Sequence, residues 1–128
     1  MDFKIELVPL NVTDVDRAVE FYGTEVGWNV DFDATPYEGL RFVQVTPPGS
    51  ACSICFGTGL EMLAEGTKQH IQVVVADAEE AHRYLTDRAV ECRGVEDLDW
   101  GRFVHFDDPD GNLWSLQQLP DRSVGSET

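Results

Sequence analysis

The chemistry available to this chain is concentrated on two histidines and on polar residues that alternate with apolar ones. His70 and Gln72 fall in QHIQVVVA, His105 in RFVHF, and Ser115 and Gln117 in NLWSLQQ. Residues two apart on a strand share a face. If Trp114 and Leu116 face a core, Ser115 and Gln117 face away from it, and the same alternation turns Phe103 and His105 the same way. An imidazole there could act as general acid or base near neutral pH, with Gln72, Gln117 or Ser115 holding an oxyanion. Each histidine reads equally as a hydrogen-bonded strand residue without a chemical role. His82, on a helix, is expected at the surface.

Other candidates lie nearby. In ACSICF, Ile54 and Phe56 take the core side, so Ser53 and Cys55 take the other; Cys55 could offer a thiolate or be a small buried hydrophobe. Arg41 could clamp an anionic group or pair with one of the many carboxylates. Trp28, Tyr37 and Trp100 fall at strand starts or loops. Trp28 and Trp114 read as packing residues, and Trp100, in DLDWGR, as the better ligand contact. Together they describe an aromatic-rich cleft with a few polar groups, suited to a planar or cationic small molecule. Asp97, Asp99, Asp107 and Asp108 either attract a cation or are solvated loop charge. No phosphate loop, nucleophile elbow or HExxH motif is present.

The elements that must hold these residues occur twice. VTDVDRAVEFY from Val12 and VADAEEAHRYL from Val75 match at an offset of 63: Val12 with Val75, Asp14 with Asp77, Ala18 with Ala81, Phe21 with Tyr84. In each copy an apolar strand runs into an aspartate suited to cap a helix, and Glu80 follows Asp77 at capping-box spacing. Val15, Ala18, Val19 and Tyr22 form one helical face, and Ala78, Ala81 and Leu85 form another. Strands are expected near 28–34, 40–46 and 51–57, then near 90–96, 102–107 and 112–118. Asp108-Pro109-Asp110-Gly111 is a turn closing a final hairpin, with Gly111 where φ turns positive.

With 128 residues the chain suits one domain over 1–118, with modules at about 3–60 and 67–118 and a flexible tail at 119–128. Its 24 acidic and 9 basic residues give a net charge of −15, which repels phosphate backbones and excludes nucleic acid as a partner. Nothing in it resembles a signal peptide or a membrane span. Three cysteines, an odd number, suit a reducing cytoplasm better than a disulfide framework.

The doubled βαβββ pattern, carried by VTDVDRAVEFYGTEVGW at one end and FDDPDGNLWSLQ at the other, resembles the vicinal oxygen chelate superfamily of glyoxalases, extradiol dioxygenases, fosfomycin-resistance enzymes and bleomycin-binding proteins. The resemblance implies an α+β fold of two βαβββ modules, each a curved mixed sheet with a helix on its convex face, forming a cleft. Family metal ligands occupy the first and last strands of each module. The matching positions here read Leu7, Ser53, His70 and Ser115, a set that neither zinc, nickel nor iron favours. The expectation is therefore a small-molecule-binding protein without metal or other cofactor, similar to bleomycin-resistance sequestration proteins and, as the resemblance implies, a homodimer with shared sites. The alternative is a metal-independent lyase or isomerase using His70 or His105. A metalloenzyme and a regulatory module are the remaining readings.

Overall fold

A computed structural model describes residues 1–121. It divides into two compact units, Met1–Gln69 with Asp108–Asn112, and His70–Asp107 with the described residues from Leu113 onward. The tail expected at 119–128 lies, beyond Asp121, outside the described residues.

The first unit contains β1 (Leu7–Pro9), α1 (Val15–Val19), β2 (Asn29–Tyr37), β3 (Leu40–Thr46) and β4 (Ser53–Thr58). The strands form one mixed sheet in the order β1-β4-β3-β2, with β1 parallel to β4 and the other pairs antiparallel. The second unit repeats this with β5 (His70–Val74), α2 (Ala78–Asp87), β6 (Glu96–Leu98), β7 (Gly101–Asp107) and β8 (Leu113–Gln118), ordered β5-β8-β7-β6. The expected strand at 90–96 is corrected: residues 90–95 belong to no strand, and β6 begins where the expected strand ends.

Both helices start as their sequences require. The Asp14 carboxylate accepts from the Arg17 N–H, and Asp77 accepts from the Glu79 and Glu80 N–H groups, which otherwise have no intrahelical partner. The first helix then widens into a π-helical turn over Glu20–Glu25, closed by a hydrogen bond from Val26 N to Phe21 O. Ala18, Phe21 and Tyr22 are buried with Val43, Val45, Ile54 and Phe56; Ala78 and Leu85 are buried in the second unit, as are Val104, Phe106, Trp114 and Leu116. Strand alternation thus commits one face of each sheet to a helix and leaves the other available.

An arginine ties each helix to its sheet on the covered side. Arg41, from β3, pairs with Asp33 of β2 at 2.7 Å and Asp16 of α1 at 2.7 Å. Arg102, from β7, pairs with Asp97 of β6 at 2.6 Å and Glu79 of α2 at 3.2 Å. The guanidinium fork reaches two carboxylates at once, which a lysine would do poorly.

Candidate functional site

On the second sheet, register and alternation gather the expected residues on the face opposite α2. Gln72 is paired with Ser115 and His105 with Ser115, so these three sit abreast on β5, β8 and β7. Phe103 is abreast of Gln117. The Ser115 hydroxyl is 1% exposed and joins two imidazoles, lying 2.7 Å from His70 Nε2 and 2.8 Å from His105 Nδ1. His105 stacks on Phe103, with ring centroids 5.8 Å apart, and its Nε2 lies 3.8 Å from Glu96 Oε1. A second chain runs beside the first: Gln72 Nε2 donates to Gln117 Oε1 at 2.7 Å, and Gln117 Nε2 donates to the Trp100 carbonyl at 2.8 Å. Phe103, Ser115 and Gln117 are buried, while His70 and Gln72 are exposed and the Trp100 side chain is 60% exposed. The result is a fixed polar floor with an open rim.

The remaining candidates have other surroundings. Arg41 is on the helix side of its sheet, and its two carboxylate partners raise its pKa above the ordinary value, Asp33 most. Cys55 is fully buried with its Sγ 3.8 Å from Met62 Sδ, and burial pushes its thiol up, away from the thiolate form that binds metals. Tyr37 is exposed at the end of β2, and Trp28 stacks on Tyr22. Of the acidic cluster, Asp97 and Asp107 are paired with arginines, and Asp108 is buried in the first unit. His82 is half-buried on α2.

Pairing register corrects the set of positions matched to the family's metal ligands. Leu7 pairs with Ser53 as His70 pairs with Leu113, and Gln44 pairs with Cys55 as His105 pairs with Ser115. The counterpart of Ser115 in the first module is therefore Cys55, and that of Ser53 is Leu113. With either assignment the donors do not fit a catalytic metal. His70 is the one imidazole in the set, Leu7 offers no donor, and Ser53 shares its hydroxyl with Thr46 at 2.6 Å. Among the described residues no group of three or more His, Cys, Asp or Glu side chains is placed to hold a metal ion.

Two features went unread in the sequence. In the first unit, β2 slips register between Val30 and Phe32, and the bulge turns Asp31 onto the face opposite α1. There its carboxylate accepts from Thr46, Gln44 and Asn29, which hold its pKa below the usual value, Thr46 most. Phe32 and Phe42 stack beside it at 5.5 Å. The second feature is Glu96 at the end of the imidazole chain, and the signal for its strand partner was the recurrence of RFVQV as RFVHF.

A cavity of about 840 Å³ lies in the first unit, lined by Leu10, Asn11, Leu60, Met62, Leu63 and Lys68 among others. Its polar groups hold its own walls: Asn11 donates to the carbonyls of Ala64 and Thr67, and Lys68 to that of Asp110. None of the histidines lines it, and the chemically equipped surface is the second sheet's face.

No helix among the described residues is long and apolar enough to cross a membrane. The chain resembles TnmS3, an antibiotic binding protein from Streptomyces sp. CB03234, with a TM-score of 0.79 and 28% identity over 93% of this chain and 98% of that one. It is also similar to a superfamily member from Sphaerobacter thermophilus DSM 20745, with a TM-score of 0.75 and 30% identity over 91% of this chain and 97% of that one. An uncharacterized protein of Bacillus subtilis (strain 168), YetH, is 25% identical over 90% of this chain and 98% of its own length. The model of the Glyoxalase/Bleomycin resistance protein/Dioxygenase superfamily matches residues 4–116, and the chain belongs to that family.

Proposed function

We propose that the protein binds a small molecule with a planar aromatic body on the open face of the second sheet, without a metal, and sequesters it. The observation that carries this reading is the polar floor of buried Ser115 and Gln117 with half-buried His105, beside the exposed His70, Gln72 and Trp100. Such a floor fixes orientation through a few polar groups, and the aromatic rim supplies contact area. The likeness to an antibiotic binding protein supports a small-molecule ligand. A cytoplasmic homodimer is the setting we assign to it. Titration of Trp100 fluorescence with planar and cationic aromatic compounds, with and without chelator, tests the reading. Saturable quenching that survives chelation is expected. Binding that needs added zinc, nickel or manganese would return the protein to its metal-dependent relatives.

A second reading rests on the hydrogen-bonded His105, Ser115 and His70, with the Glu96 carboxylate 3.8 Å from His105 Nε2. A carboxylate behind an imidazole, and a hydroxyl between two imidazoles, is an arrangement able to move a proton to and from His70. Under it, His70→Ala removes turnover of an enolisable substrate; under the binding reading the same change weakens binding only modestly.

A further inference from the structure

We infer that the exposed edge of β5 presents two hydrogen-bond acceptors, His70 Nδ1 and Gln72 Oε1, and that the ligand of this face carries N–H or O–H donors to meet them. The inference rests on the binding reading above and follows from the direction in which each hydrogen-bond chain must run.

The glutamine chain has one possible direction. The Trp100 carbonyl only accepts, so Gln117 must turn its amide nitrogen to it at 2.8 Å. Gln117 Oε1 then faces Gln72 and must accept, which turns Gln72 Nε2 inward at 2.7 Å. Gln72 Oε1 is left without a partner among the described residues. The imidazole chain is anchored in the same sense. A carboxylate oxygen 3.8 Å from His105 Nε2 favours the proton on that nitrogen. His105 Nδ1 must then accept the Ser115 hydroxyl proton at 2.8 Å, and Ser115 Oγ must accept from His70 Nε2–H at 2.7 Å. His70 Nδ1 is then the unprotonated nitrogen, and it too has no partner among the described residues. Running either chain backwards requires a carbonyl to donate or sets an imidazole lone pair against a carboxylate.

His70 and Gln72 are two residues apart on one strand, so their side chains stand side by side on one face at about 6–7 Å. Both are exposed, and β5 is the edge of its sheet. Two aligned acceptors repel a carboxylate or phosphate and favour an amidinium, primary ammonium, phenol or hydroquinone. Charge alone does not explain this preference: a quaternary ammonium would satisfy the aromatic rim and leave both acceptors bare.

Two measurements on the full chain test the inference. Nitrogen-15 spectra of the histidines at pH 8.5 report which nitrogen bears the proton. We expect the Nε2–H form for both His70 and His105, and an Nδ1–H form at His70 overturns the inference whatever the ligand results. Trp100 quenching is then compared for benzamidinium and phenyltrimethylammonium, which share an aromatic ring and a positive charge but differ in donors. Benzamidinium should bind about tenfold more tightly. Equal affinity, or preference for the quaternary ion, overturns the donor requirement. Failure of both to quench while benzoate binds overturns the inference and leaves the binding reading intact.

Discussion

The Tyr22 hydroxyl donates to Asp108 Oδ2 at 2.7 Å inside the first unit. Asp108 is 5% exposed, and it also accepts from the N–H groups of Asp110 and Asn112 and from the Asn112 side-chain amide. A residue that reads in the sequence as one more acidic loop position is thus a buried acceptor for four donors. Asp108→Ala leaves all four without it and should cost about 3 kcal/mol. Urea unfolding measures this, and a loss below about 1 kcal/mol would show that the turn rearranges around the gap.

Gly111 closes the same turn at φ +85, and a Cβ there would also approach Lys68 Cδ to 3.1 Å. Gly111→Val combines left-handed backbone strain with β-branching and should destabilise by about 1–3 kcal/mol. An unchanged melting temperature would contradict this turn geometry.

Ser115→Ala removes the hydroxyl between His70 and His105 with little change of volume. It leaves two ring nitrogens without their partner, so we expect about 1–2 kcal/mol of lost stability and binding weakened about tenfold. Calorimetric titration of the variant should show both. Full retention of affinity would mean that His70 needs no support from beneath.

Trp100→Phe replaces a side chain that is 60% exposed while keeping the backbone carbonyl that holds Gln117. Stability should move by less than about 0.5 kcal/mol, and affinity for aromatic ligands should fall. A large drop in melting temperature would place Trp100 in the packing and remove it from the rim.

Acid sensitivity follows from Asp33. The guanidinium of Arg41 lowers its pKa through a hydrogen bond and through charge. A carboxyl whose folded pKa is depressed contributes stability that is present above the unfolded value and is lost as pH falls toward the folded one. The contribution should therefore fade below about pH 4, and Arg41→Met should remove it, flattening the acid limb of the stability curve. An acid limb identical in wild type and variant would separate the pair from folding stability.

The final hairpin was legible because its turn chemistry and its alternation agree: Trp114 and Leu116 are buried against Val104 and Phe106, and Ser115 faces His105 across the register. The helices were legible from Asp14 and Asp77. In the quartet of family positions Ser53 stood where the register puts Cys55, because alternation turns both residues to the same face and does not choose between them. From β1 to β5 the offset is 63, as Leu7 and His70 show. From β3 to β7 it is 61, as Arg41 and Arg102 show, and from β4 to β8 it is 60, as Cys55 and Ser115 show. Loops absorb such differences without disturbing the strands they join, so only the pairing reveals them. Asp31 was hidden for a related reason, because a bulge breaks the alternation that assigns faces.

The paired arginines carry a consequence for divergence. On their covered sides the two modules keep the same fixture: Arg41 with Asp16 and Asp33, Arg102 with Glu79 and Asp97. On their open sides the register partners differ at Leu7 and His70, Pro9 and Gln72, Gln44 and His105, Cys55 and Ser115, and Gly57 and Gln117, and agree at Phe42 and Phe103. A pleated strand insulates one inheritance from the other, since alternate residues answer to different neighbours. A duplicated module with its scaffold locked on one side can drift on the other, and one copy can acquire a recognition surface without its twin having to follow.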